Sequence, residues 1–247
     1  MHYLYIFLIL LITSCNSKKS SLTAQQVIDN TIAFSGVSKV SNSKITFKFR
    51  DILYTAVRKE GNYTLDRVFK KDTSTINDII FNKGYQRFVN YIPVATIDSL
   101  KIKYSNAVNS VHYFSVLPLG LNDKAVQKKI LPSSKINGKE YYKIEISFSE
   151  DGGGEDFQDI FIYWINKDDF LIDYLAYSFH TNGGGKRFRV LKEQCLIKEI
   201  RFVDYYNYKP SSKDIPLIDL DLYYENNQLI KVSEIILKDI KVDILNN

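Results

Sequence analysis

From Lys44 onward the chain alternates apolar and polar residues with a period of two, and this excludes most folds. Ile45, Phe47 and Phe49 stand between Thr46, Lys48 and Arg50, the pattern of a strand buried on one face. Tyr63, Leu65, Arg67 and Phe69 repeat it after Gly61-Asn62, and Asn82-Lys83-Gly84 separates Asp78–Phe81 from Tyr85–Asn90. Gly and Asn accept the positive φ that tight hairpins require. Residues 44–90 therefore read as an antiparallel meander. Asn137-Gly138 predicts a type I′ turn, with Tyr142, Ile144, Ile146 and Phe148 alternating behind it. Ile160–Ile165 is apolar on both faces and belongs inside a sheet. Leu171–Phe179, Lys186–Leu191, Lys198–Tyr205 and Leu229–Val242 supply further strands. Eighteen Tyr and fifteen Phe against five Pro agree with this bias because aromatic residues favour strands.

Helical spacing interrupts the pattern in a few places. Thr23 and Gln26 form a capping-box pair. Val27, Ile28, Thr31 and Ile32 then share one face, and Gly36 stands where the helix should end. Over 98–117, Leu100, Tyr104, Ala107, Val108, Val111 and Phe114 recur at helical spacing until Pro118 and Gly120. A short helical stretch is expected from Asp123 through Ala125-Val126, and another around Ile218 and Leu222 after the loop Pro210–Pro216. The expected fold is mainly β (α+β): a single curved antiparallel sheet, or half-barrel, of about ten strands wrapped over two or three helices. It occupies one domain, 22–247.

The N-terminus has a different character. Leu4–Ile12 is an unbroken apolar run, too short to span a bilayer, which takes about 20 residues. It has the length of a secretory h-region. Ile12-Thr13-Ser14-Cys15 resembles a bacterial lipobox. That resemblance implies a signal peptide at 1–14, lipidation of Cys15 and a lipid-anchored tether at 15–21, whose Asn, Ser and Lys make it flexible. It also implies a cell-envelope address. Asn16-Ser17-Lys18-Lys19 lacks the acidic cluster of surface-exported lipoproteins, which leaves the outer membrane facing the periplasm as the expected site.

Side-chain chemistry narrows the function classes. The net charge of +5 is spread along the chain, whereas a nucleic-acid binder clusters Lys and Arg on one face. With Cys15 lipidated, Cys195 has no intramolecular partner, and its strand-like surroundings predict a buried thiol. Once His2 leaves with the signal peptide, His112 and His180 remain. His112 is expected to be half-buried on its helix, and His180 to bond backbone at a hairpin end. There is no Gly-x-Ser-x-Gly elbow, and no catalytic residue, cofactor or metal is assigned. The acidic loop of Glu150, Asp151, Glu155, Asp156 and Asp159 lacks EF-hand spacing and reads as solvated. Gly183-Gly184-Gly185 is flanked by strands, not by a strand and a helix, and so reads as a hairpin rather than a phosphate cradle.

Three stretches carry a family resemblance: Ser110–Phe114, Asp173–Arg189 and Phe202–Tyr208. They resemble a family of uncharacterised Bacteroidetes lipoproteins over nearly the whole chain after Cys15. The order of elements resembles the half-barrel of the LolA/LolB lipoprotein carriers. That likeness implies a curved sheet over helices, with a cavity between them for acyl chains, and it transfers no individual residue. Candidate ligand contacts come instead from the aromatic alternation and from the basic hairpin: Phe47, Phe49, Trp164, Tyr177, His180, Lys186, Arg187 and Arg189.

Three readings follow. The first is a membrane-anchored periplasmic lipoprotein, not an enzyme, that binds an apolar or lipid ligand, with a role in lipid or lipoprotein trafficking. The second is a structural or partner-binding envelope lipoprotein with a filled core. A hydrolase is the most distant. The expected partners are the membrane, through the N-terminal lipid, and an acyl-chain or lipid ligand. Nucleic acid is not among them, and the oligomeric state stays open.

Overall fold

Fourteen strands form two antiparallel sheets of seven in a computed structural model that describes residues 22–152, 157–180 and 183–245. The expected signal peptide 1–14, Cys15, the tether 15–21 and the loop residues Glu155 and Asp156 lie outside the described residues.

The first helix, α1 (Ala24–Phe34), starts as its sequence dictates. The Thr23 hydroxyl accepts from the Gln26 backbone N–H at 3.2 Å, and the Thr23 N–H donates to the Gln26 side chain at 2.9 Å. Gly36 ends the turn at φ +68, where an added Cβ would collide with the carbonyl of Glu199. Glycine is required there by both conformation and space. A 3-10 turn over Val37–Asn42 leads into the first sheet.

That sheet contains β1 (Ser43–Phe49), β2 (Ile52–Lys59), β3 (Asn62–Lys71), β4 (Ser74–Phe81), β5 (Gly84–Val89) and β6 (Ile92–Val94). It is the expected meander, closed at its other edge by β14 (Leu237–Ile244) pairing with β1. Helix α2 (Asp98–Ser115) lies across β3, β4 and β5. The second sheet runs β7 (Val126–Ile136), β8 (Lys139–Phe148), β9 (Phe161–Asn166), β10 (Ile172–Phe179), β11 (Gly185–Ile197) and β12 (Ile200–Lys209), with β13 (Ile230–Ile235) at the edge. Helix α3 (Leu220–Glu225) follows a 3-10 turn at Leu217–Asp219.

The architecture corrects three expectations. There is no single sheet of about ten strands: Ile236 carries the chain from β13, paired with β12, into β14, paired with β1. One residue thus moves the strand from one sheet to the other. No helix forms at Asp123–Val126. The Asp123 N–H donates to the Gly120 carbonyl and the Val126 N–H to the Asp123 carbonyl, giving successive turns that enter β7 directly. Cys195 is exposed, not buried. β10 pairs with β11 only as far as Val190, so Cys195 stands where the strand has lost one neighbour.

Every residue of β9 is buried, as its two-sided apolar sequence requires. Phe161, Tyr163 and Ile165 face Val27 and Ile28 of α1. Ile162 and Trp164 face the opposite way, under Ile215 and Leu220. A buried ion pair fixes that outer cover. Lys143 Nζ lies 2.8 Å from Asp221 Oδ2, which also accepts from Trp164 Nε1 at 2.9 Å. Among the described residues, no helix is long and apolar enough to cross a membrane.

Candidate functional site

Helix α2 grips the first sheet firmly and the second at one end, and the gap between is the candidate site. On the first sheet the helix rests on one cross-strand row: Phe47, Tyr54, Arg67, Asp78 and Arg87. Asp78 is fully buried. Burial opposes its charge, but hydrogen bonds from Arg87, Tyr85 and Arg67 outweigh it and hold the carboxyl below its ordinary range. The Arg87 guanidinium stacks 3.4 Å from the Tyr104 ring centroid on α2. His112 packs edge-on against Phe47 and Tyr54. Its Nε2 lies 2.9 Å from the Asp66 carbonyl, so Nε2 carries the proton and donates. Burial pulls the imidazole down to about 4, which keeps it neutral. His112 is thus fully buried rather than half-buried, and it anchors α2.

The other face of α2 meets the second sheet at its C-terminal end. The Tyr113 and Tyr163 hydroxyls lie 3.0 Å apart, and the Phe114 ring packs on Phe161 and Tyr177. Burial pushes the Tyr113 hydroxyl up to about 12, so it stays neutral. Elsewhere the helix lines the space mainly with small and polar residues, Asn106, Ala107 and Ser110 among them, and these do not fill it. A cavity of about 1400 Å³ results. Phe148, Phe161, Tyr177 and Phe179 form its aromatic wall, with Phe49, Leu65 and Ile80 on the side of the first sheet. A smaller cleft of about 260 Å³, beside Asn137, Tyr224 and Glu225, lies apart from it.

Four of the candidate contacts reach the cavity. Phe49, Tyr177, Arg187 and Arg189 line it. Arg189 lies flat on Phe114, 3.8 Å from the ring centroid, and donates through Nη2 to the Tyr177 hydroxyl at 3.1 Å. Arg187 lies over Phe179. The other four lie elsewhere. Phe47 is packed in the core under His112. Trp164 is in the core on the outer face of the second sheet. Lys186 ties down the loop before α3 by donating to the Lys213 and Ile215 carbonyls at 2.8 and 2.6 Å. His180 pairs with Asp159 at the surface, 3.2 Å away.

Sequence reasoning missed the cavity-facing side of α2 and one cation, Arg58. Arg58 follows Tyr54 and Ala56 at alternate positions of β2 and therefore shares their inward face. Burial lowers its guanidinium to about 10.

Residues 1–236 match a protein-family model described as a family of unknown function. No curated protein matches the chain. The fold is similar to the crystal structure of a DUF1329 family protein from Desulfovibrio piger, at 12% identity over 91% of this chain and 95% of that one, with a TM-score of 0.48. It is also similar to a LolA superfamily protein from Nitrosomonas europaea, at 12% identity, 92% and 95% coverage and a TM-score of 0.47. A third is described as an outer membrane lipoprotein-sorting domain, from Vibrio parahaemolyticus, at 7% identity, 89% and 93% coverage and a TM-score of 0.46. At these scores the likeness carries no functional weight.

Proposed function

The chain belongs to that family, DUF6503, whose function is unknown, and we propose that it is a lipid-anchored envelope protein holding an apolar or lipid ligand between α2 and the second sheet. The observation that carries this is the cavity itself. Its volume of about 1400 Å³ exceeds the ~300–1,000 Å³ of ordinary ligand pockets. Its wall is a row of aromatic rings from three adjacent strands, β8, β9 and β10. Apolar surface of this extent gains free energy when a hydrocarbon replaces water. The N-terminal run ending at Cys15 supports the address: a body on a short lipidated tether stays beside the membrane that supplies such a ligand. The outer membrane facing the periplasm belongs to the same proposal.

N-phenyl-1-naphthylamine, a neutral dye that fluoresces in apolar sites, tests this. The purified protein should enhance its emission saturably, and long-chain lipids should displace it. Absence of saturable enhancement would overturn the proposal.

A further inference from the structure

Six of the seven arginines fall into two groups; the seventh, Arg50, is exposed over Phe49. Arg67 and Arg87 grip Asp78, and Arg201 faces Asp173. Arg58, Arg187 and Arg189 line the cavity, and among the described residues no ion pair involves any of them. Two have nitrogens left over. Arg58 Nη1 and Arg189 Nε are buried without a hydrogen-bond partner. Buried charges in native proteins are paired, because removing a guanidinium from water without compensation is costly. Buried polar atoms without partners are few, and each needs an explanation. Here two occur on opposite walls of one cavity, Arg58 from the first sheet and Arg189 from the second. The acids of the cavity do not supply the missing partner. Among the described residues neither Asp123 nor Asp159 forms an ion pair with these arginines, and Asp159 pairs with His180.

We propose that the ligand is an anionic amphiphile, with its carboxylate or phosphate oxygens held by Arg58 and Arg189 and its chain laid on the aromatic wall of the second sheet. This rests on the ligand-binding function proposed above and names the chemistry of its ligand. A guanidinium presents donors in a planar fork that matches both oxyanions. Arg189 is held in place by Phe114 and Tyr177, which keeps its guanidinium at the cavity wall. Arg187, beside it on β11, adds positive charge near the cavity wall.

The test uses the full chain and displacement of bound N-phenyl-1-naphthylamine, which carries no charge. Hexadecanoate and hexadecyl phosphate, each with one and the same alkyl chain, are compared with methyl hexadecanoate, which has the chain without the anion. Hydrogen bonds to a charged group predict that at least one of the two anions displaces the dye about tenfold or more better than the ester; whichever does so identifies the head as carboxylate, phosphate or either. Arg58→Gln and Arg189→Gln should each remove most of that preference, read as the ratio of anion to ester displacement within the same variant. Arg58→Lys and Arg189→Lys, which keep the charge, should restore part of it. Circular dichroism confirms that each variant is folded. Equal displacement by acid, phosphate and ester in the wild type would overturn the anion assignment and leave the apolar site standing. A preference that survives both Gln variants would overturn it as well. Absence of dye binding in the wild type would instead remove the ligand-binding function, and this inference with it.

Discussion

Ser110→Trp distinguishes an open cavity from a filled interior by the sign of its effect on stability. Ser110 lies on α2, exposed, and lines the cavity. Ser and Trp have similar helix propensities, so the backbone contribution cancels. An indole carries about 200 Å² of surface. Resting half of that on the aromatic wall gains about 2.5 kcal/mol at ~25 cal/mol per Å². Ordering the side chain costs about 1 kcal/mol. The variant should therefore be more stable than wild type by about 1–1.5 kcal/mol, the difference of those two terms. In a filled interior the same side chain would be overpacked and cost about 1–3 kcal/mol. Urea unfolding followed by circular dichroism separates the two outcomes. The new indole also occupies ligand space, so dye affinity should fall about tenfold, equivalent to roughly 1.4 kcal/mol. A destabilised variant, or a stabilised one that binds dye as well as wild type, would refute the reasoning.

Asp221→Ala should destabilise the fold by about 3–5 kcal/mol, because it leaves Lys143 buried without its counter-ion and Trp164 Nε1 without an acceptor; urea unfolding reads this, and Lys143→Met with Asp221→Leu should recover much of the loss. Tyr163→Phe removes the hydroxyl contact that ties α2 to the second sheet and should cost about 1 kcal/mol, with faster amide exchange at the C-terminal end of α2. Burial raises Asp66 from 3.8 to about 6, so ionising it costs more in the fold than in the unfolded chain, and wild-type stability from this group falls as pH rises between those values. His112, lowered from 6.5 to about 4, acts oppositely over nearly the same range. Asp66→Asn should therefore gain on wild type as pH rises from 4 to 6 and lose stability more steeply on acidification; parallel urea titrations across that range check both. Cys195 should react with a maleimide in the native protein without denaturant, since its side chain is exposed.

What the sequence disclosed was local. The capping box of α1, the span of α2 and the meander before it were legible because each is set by residues a few positions apart. The division into two sheets was not, because it depends on which strands the chain on either side of Ile236 pairs with, and those partners lie far away in sequence. Period-two alternation shows that Phe47, Phe49 and Tyr177 face inward from their strands but not what covers them, and Trp164 sits in a run apolar on both faces, which gives it no direction. Helix α2 covers Phe47, and the segment around Leu220 covers Trp164; Phe49 and Tyr177 are left facing the cavity. Arg58 is not legible because no alternation marks the bounds of β2 within the meander, so its inward position cannot be counted. The exposure of Cys195 is not legible because its surroundings look like a strand, whereas the pairing with β10 ends at Tyr174 and Val190.

Native mass spectrometry of the full chain, incubated with envelope lipids, tests the central claim most directly. Wild type should carry non-covalent lipid adducts that dissociate on collisional activation, and Ser110→Trp should carry fewer. Spectra of wild type that stay free of lipid after incubation would contradict the account.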